Sequence, residues 1–174
     1  MKKQPVYLIA AADEKLGIGK NGKMPWDLKK DLAFFQKVTT KTDSASRQNM
    51  VVMGRKTWES IPQAHRPLPG RRNVVLTRNR DFKVPPGVYV FSSLKDAFES
   101  ADEDLIEKIF VIGGGKVFAE AVKARNLKGI YLTCIKAKFD CDTRFPKPPR
   151  SFKSTVLGRA KEGNLEFEFT LYKK

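Results

Sequence analysis

Residues 109–123 read IFVIGGGKVFAEAVK. The apolar run Ile109–Ile112 has the length of a buried strand and is too short for a helix. Gly113, Gly114 and Gly115 end it, and Lys116–Lys123 resumes with helical spacing. A strand that stops at glycines and reopens as a helix is one unit of an α/β sheet. The unit recurs upstream. Met50–Met53 runs into Gly54 and a short helix, Arg55–Ile61. Strand Asn73–Leu76 runs into Thr77-Arg78, and strand Val88–Phe91 precedes a helix over Leu94–Ala101. Val6–Ala12 and Ile130–Lys136 read as further strands. Leu28–Val38 reads as a helix with Leu28, Leu32, Phe35 and Val38 on one face. Apolar strands alternating with helices predict a predominantly parallel sheet flanked by helices on both faces. The C-terminal segment differs. Ser154–Leu157 and Glu166–Tyr172 flank Gly163-Asn164, and Phe167, Phe169 and Leu171 alternate on one face, so a closing antiparallel hairpin is expected. The expected class is therefore α/β, with one domain over residues 1–174.

Composition narrows the functions available. With 41% hydrophobic residues, 12 Phe, 2 Trp and 4 Tyr, the chain is too apolar to be a disordered tail. Its longest apolar run, Val6–Ala12, is far shorter than the ~20 residues a membrane helix needs. Lys2 and Lys3 before that run imitate a signal peptide, but the segment is too short, and a buried first strand in a cytoplasmic protein is expected instead. Cys134 and Cys141 are too few for a disulfide framework and are read as thiols. The single histidine, His65, lies in a Pro-rich loop, so no metal site is expected. Three loops are expected: polar Thr39–Asn49 at the surface, Pro62–Arg72, and Asp140–Ser151. The net charge of +15 suits anionic partners such as a phosphorylated cofactor, an acidic metabolite or nucleic acid, and also serves solubility.

Candidate chemistry gathers at three places. Asp31 lies on the helix face shared by Leu28, Phe35 and Val38. A carboxylate facing a core needs a partner and has its pKa raised, which suits acid–base work. A boundary aspartate in the first helical turn is the alternative, and Asp27 fits as the N-cap. Second, the turns Gly54-Arg55-Lys56-Thr57, Thr77-Arg78 and Gly113-Gly114-Gly115-Lys116 all open at carboxyl ends of strands, where backbone amides, hydroxyls and cations can hold phosphates. The last is not the dinucleotide fingerprint, because Phe118 occupies the place of its third glycine. Third, Leu16–Trp26 carries Gly17, Gly19 and Gly22 between apolar anchors Ile18, Met24 and Trp26. It reads either as a mobile lid or as an irregular but rigid loop.

These pieces, in order, resemble dihydrofolate reductases over nearly the full length. The matching segments are Leu8-Ile9-Ala10-Ala11, Ile18-Gly19, Met24-Pro25-Trp26, Asp31-Leu32, Phe34-Phe35, Met53–Ile61, Arg66–Arg71, Val111–Gly115, Tyr131-Leu132-Thr133 and Asp142-Thr143. The resemblance implies reduction of 7,8-dihydrofolate by NADPH, with a hydride to C6 and a proton to N5. It implies that Asp31 orients and polarises the pterin, that Thr133 supports Asp31, and that Trp26 organises water. Ile9, Ala11, Leu32, Phe35, Ile61, Leu68, Ile112 and Phe118 would meet the substrate, and Arg71 its glutamate carboxylate. Ala11, Ile18, Gly54, Arg55, Lys56, Thr57, Leu76, Thr77, Arg78, Gly114, Gly115, Lys116 and Val117 would meet the cofactor. The Gly113–Gly114 peptide is a candidate for the cis form. Phe118 stands where many members have Tyr, and Lys116 where some have Arg. A monomer without obligate nucleic-acid or membrane partners is implied, with weak non-specific nucleic-acid binding allowed by the charge. The rivals are a reductase of another pteridine or of a ribosylated pyrimidine, and a basic nucleic-acid-binding module. Arg71 with Asp31 favours folate, and no nucleic-acid recognition motif is present.

Overall fold

The computed structural model describes residues 3–174, so Lys2 of the signal-like segment lies outside the described residues. In chain order the strands are β1 (Val6–Ala12), β2 (Gly17–Gly19), β3 (Gln48–Gly54), β4 (Arg71–Leu76), β5 (Val88–Phe91), β6 (Ile106–Gly113), β7 (Leu127–Ile135), β8 (Thr143–Arg144), β9 (Lys153–Glu162) and β10 (Leu165–Lys173). The α-helices are α1 (Lys29–Thr40), α2 (Arg55–Ser60), α3 (Leu94–Glu99) and α4 (Gly115–Ala121), and a 3₁₀ turn covers Gln63–His65.

Eight strands form one sheet in the order β5-β4-β3-β6-β1-β7-β10-β9. Strands β5 to β7 in that order run parallel, while β10 pairs antiparallel with both β7 and β9. Alternation along each strand sorts the core to two faces. Leu8, Met50 and Val52 pack with Leu94, Ala97, Phe118 and Ala121 of α3 and α4. Ile9, Val51 and Met53 pack with Phe35 and Val38 of α1 and Trp58 of α2. Both faces are thus covered by helices, as the apolar runs predict.

Several boundaries differ from expectation. The stretch Thr39–Asn49 is not all surface loop: α1 runs to Thr40, β3 begins at Gln48, and Thr39 and Asn49 are fully buried. The Thr39 hydroxyl and the Asn49 amide nitrogen find partners inside the protein, whereas the Asn49 Oδ1 is buried without one. The Thr39 hydroxyl donates to the Phe35 carbonyl at 2.7 Å, and the Asn49 amide donates to the carbonyls of Thr39 and Lys41, each at 3.0 Å. The loop that remains is latched by Glu107. Its carboxylate accepts from the amides of Asp43 (2.9 Å) and Ser44 (3.0 Å) and from the Lys108 ammonium (2.7 Å). Burial pushes the Glu107 carboxyl up, but the Lys108 ammonium and those amides outweigh it and hold it at about 2.

Asp27 is exposed and does not cap α1. The N-cap position is Leu28, which offers no side-chain acceptor, and the carboxylate of Glu162 reaches in from β9 to accept from the amides of Lys29 and Lys30. The pairing of β2 with β8 has no sequence signal, because three- and two-residue strands carry no hydrophobic period. The final hairpin forms around Gly163-Asn164, with β9 running the full ten residues Lys153–Glu162 along the sheet edge. Cys134 and Cys141 are free thiols. Among the described residues no helix is long and apolar enough to cross a membrane.

Candidate active site

The carboxyl ends of β1 and β7 lie side by side, with Ala11 paired to Thr133 and Ile9 to Tyr131. Helix α1 crosses this edge and brings Asp31 to it. The Thr133 hydroxyl, buried on β7, donates to Oδ1 of Asp31 at 2.6 Å. Burial pushes the Asp31 carboxyl above its ordinary range, the Thr133 hydrogen bond opposes this, and the charge of Glu162 adds to the rise. Trp26 is buried beside Ala11, edge-on to Phe139 with ring centroids 5.1 Å apart, and its indole Nε1 has no protein partner. Asp31, Thr133, Trp26 and Ala11 therefore meet at one place. Leu32, one residue on, is 49% exposed although it shares the apolar side of α1. Phe35, Ile61 and Leu68 are only half-buried beyond it and pack against one cluster. Together they form an apolar wall that the protein itself leaves uncovered.

Arg71 stands at the far end of that wall. It is 7% exposed, with its guanidinium 5.8 Å from the centroid of the Phe35 ring. Its Nε donates to the Pro69 carbonyl at 3.0 Å, and a terminal nitrogen donates to the Thr39 hydroxyl at 2.9 Å. Burial pulls its pKa down. No carboxylate of the chain pairs with it among the described residues. A nearly buried cation with no anion of its own suits an anionic ligand. Asn73 fixes the loop before it. Its side chain accepts from the Leu68 amide (2.9 Å) and donates to the Leu68 carbonyl (2.8 Å). Thr39 and Asn73 are site-supporting residues that sequence reasoning missed, since a Thr and an Asn carry no signal until their partner is known.

On the other side of β1 the strand ends converge on glycines. Gly54 pairs with Leu76, and Met53 with Gly113. Gly113 has φ +136°, and the Gly113–Gly114 peptide is cis, as is Arg66–Pro67, which no sequence feature singled out. A Cβ on Gly113 would sit 3.1 Å from the Thr57 hydroxyl, and one on Gly54 would sit 3.3 Å from a Val117 methyl. The sequence-predicted residues Gly54, Thr57, Gly113, Gly114 and Val117 are thus in one tight cradle. Arg55, Lys56 and Lys116 are exposed at its rim, and Arg55 lies 3.8 Å from Glu59. Next to it, Thr77 and Arg78 line a groove of about 530 Å³ together with Arg80, Phe82, Phe91 and Ser92. The last four were not singled out from sequence, although Arg80 repeats the cation of Arg78 two residues on.

Two of the expected places take a definite form. Phe118 does not stand open beside the apolar wall. It is 3% exposed and packs edge-on against Phe145, with centroids 4.8 Å apart, in the core under α4. The Gly-rich segment from Leu16 to Trp26 is tied down at several points. Asp13, buried at its base, accepts from the amides of Lys15 (2.8 Å), Gly17 (2.7 Å) and Phe139 (2.9 Å). Burial pushes the Asp13 carboxyl up, but these amides outweigh it and hold it below its ordinary value. Asp142 accepts from the Asn21 amide at 2.8 Å, and Lys20 pairs with Asp140. Ile18, on β2, is half-buried among the α4-side core residues.

A half-buried carboxylate on one side of a central strand and a glycine cradle with a basic rim on the other suit an α/β oxidoreductase, the class to which the comparisons lead. The family model described as dihydrofolate reductase matches residues 5–174. A dihydrofolate reductase of Heliothis virescens is 42% identical over the whole of both chains. The Drosophila melanogaster dihydrofolate reductase is 38% identical over 96% of each chain. The solved dihydrofolate reductase of Schistosoma mansoni superimposes with a TM-score of 0.86 at 36% identity, covering 99% of both chains. A bifunctional dihydrofolate reductase-thymidylate synthase of Glycine max is 43% identical over 95% of this chain, which spans 33% of that relative. The chain belongs to the dihydrofolate reductase family.

Proposed function

We propose that the protein reduces 7,8-dihydrofolate to 5,6,7,8-tetrahydrofolate with NADPH, with the pterin held between α1 and the nicotinamide. The observation that carries this reading is the Asp31–Thr133 pair. It is a half-buried carboxylate, raised in pKa and oriented by one hydroxyl, at the edge of an uncovered apolar wall. Asp31 accepts from the pterin N3 and 2-amino group, which orients the ring and favours a protonatable form. It stands away from N5, to which a water delivers the proton. Thr133 holds the carboxylate's rotamer, and the unpartnered indole N–H of Trp26 donates to water there. Backbone groups of Ile9, Ala11 and Ile112 meet the ring edges. Leu32, Phe35, Ile61 and Leu68 exclude water from the aromatic portion of the substrate, and Arg71 binds the glutamate α-carboxylate through its remaining terminal N–H groups. Phe118 supports the Gly113 turn from the core side rather than touching substrate.

The residues fit the cofactor. Its pyrophosphate needs close approach to backbone, and glycine at 54 and 113 leaves no side chain between the turns and Val117 or the Thr57 hydroxyl, which a Cβ would crowd. NADPH, when bound, supplies the hydride that reaches C6. Gly54, Thr57, Gly114, Gly115 and Val117 enclose its pyrophosphate, with Arg55, Lys56 and Lys116 neutralising charge. Leu76, Thr77 and Arg78 hold the adenosine and its 2′-phosphate, with Arg80 and Ser92 lining the same groove. Ala11 and Ile18 bound the nicotinamide. A cytoplasmic monomer with one domain, acting in one-carbon metabolism, completes the proposal.

The test is absorbance-followed NADPH oxidation by the purified protein with and without dihydrofolate, repeated with NADH. Dihydrofolate-dependent oxidation with preference for NADPH is expected. NADPH binding without dihydrofolate-dependent turnover would move the substrate to another reducible ring, and absence of both would refute the reading.

A further inference from the structure

We propose that Glu162, at the end of β9, is a positioning residue for the reaction: its carboxylate closes the N-terminus of α1 and sets a negative charge on the two backbone amides that precede Asp31. The inference rests on the role given to Asp31 above. The first amides of a helix have no partner within it, and Leu28 supplies none. Glu162 accepts from the Lys29 amide at 2.9 Å and from the Lys30 amide, across more than 130 residues of chain. The Lys30 ammonium adds a third tie, donating to the Lys161 carbonyl at 3.0 Å. Asp31 is the next residue. The same hairpin supports it from below: Phe169 of β10 is in register with Thr133, and its ring stacks on Phe34 of α1 at 4.1 Å. The hairpin therefore fixes both the backbone that carries Asp31 and the strand that carries its hydrogen-bond donor.

The charge has a separate effect. The groups bearing on Asp31 are the Thr133 hydroxyl from β7 and the Glu162 carboxylate from β9; of the lysines that precede it on α1, Lys29 and Lys30, the second is turned to the Lys161 carbonyl. Burial is the largest cause of the raised Asp31 pKa, and Glu162 adds to it. The negative neighbour lets the Asp31–pterin unit hold its proton to higher pH.

The experiment is the pH dependence of kcat/KM at low salt for wild type, Glu162→Gln, Glu162→Ala, Asp31→Asn and Asp31→Asn/Glu162→Gln, with thermal melting of each. The Glu162→Gln change removes the charge and keeps an oxygen for one of the two helix amides, each of which Glu162 meets with a different oxygen. The falling limb of its profile should move to lower pH. Activity above the wild-type midpoint should drop by about two- to fivefold more than the acid plateau does, the size of a charge effect at a helix end. The displacement should shrink at high salt. Glu162→Ala should lower the plateau as well, because the cap is lost. In the Asp31→Asn background the second substitution should displace nothing. A wild-type midpoint in Glu162→Gln, a loss equal at every pH, or the same effect without Asp31 would each overturn the proposal. Wild-type activity in Asp31→Asn alone would instead overturn the role of Asp31 itself.

Discussion

Replacing Arg71 by Lys separates substrate recognition from chemistry. The guanidinium spends Nε on the Pro69 carbonyl and one terminal nitrogen on Thr39. The remaining N–H groups are left for two carboxylate oxygens. An ammonium at this depth keeps the charge, but it cannot hold Pro69 and Thr39 while presenting a planar pair to the ligand. One charged hydrogen bond to the ligand should therefore be lost, worth about 1.5–3 kcal/mol, or roughly 10- to 150-fold in kcat/KM. The loss should fall mainly on KM, because the contact is equally present in ground and transition states. The assay compares dihydrofolate with a dihydropterin that lacks the glutamate tail, using wild type and Arg71→Lys under saturating NADPH. The tail-less compound should be reduced poorly but equally by both proteins. An equal proportional loss on both substrates would refute the reasoning, since Arg71 would then be acting through the shape of the site. Circular dichroism melting checks that the buried substitution leaves the fold intact.

Three other outcomes follow from groups described above. Asp31→Asn should lose roughly 100-fold or more in turnover, yet melt higher than wild type at neutral pH. The raised carboxyl favours folding only below its unfolded pKa, and that contribution is lost as pH rises through the folded value, so the melting difference should vanish in acid. Arg78→Ala should raise KM for NADPH about tenfold, from loss of one charged contact at an exposed site, and leave KM for NADH nearly unchanged; equal changes would remove Arg78 from the phosphate groove. Glu107→Gln should destabilise the protein in urea melts by at most about 3 kcal/mol at neutral pH, the linkage equivalent of holding the carboxyl at about 2 instead of 4.5. That difference is present above the ordinary value and should disappear as pH falls through about 2.

The sheet was legible because its interior strands are buried on both faces and so appear as unbroken apolar runs. Val6–Ala12 and Met50–Met53 show this directly. Asp31 was legible because a carboxylate on an apolar helix face is conspicuous. What escaped depended on partners remote in sequence. The cap of α1 comes from Glu162, so Asp27 looked like the better local choice. Thr39 and Asn49 looked like loop residues because their polarity is answered only by helix-end carbonyls and by Arg71. Leu32 shares the apolar face of α1 by spacing yet is 49% exposed, which periodicity alone does not reveal. Position in the family motif placed Phe118 in the site, and only the structure shows its ring packed in the core beneath the Gly113 turn.

The place of β1 has a consequence for how the chain is made. It lies between β6 and β7, and Leu8 meets Val111 on one side and Ile130 on the other. Both neighbours are translated about a hundred residues after it. At roughly 5–20 residues per second, this strand waits about 5–20 s for either edge to be covered. During that interval its apolar side chains and unpaired backbone are open to chaperones, and to the same strand of neighbouring nascent chains on a crowded polysome.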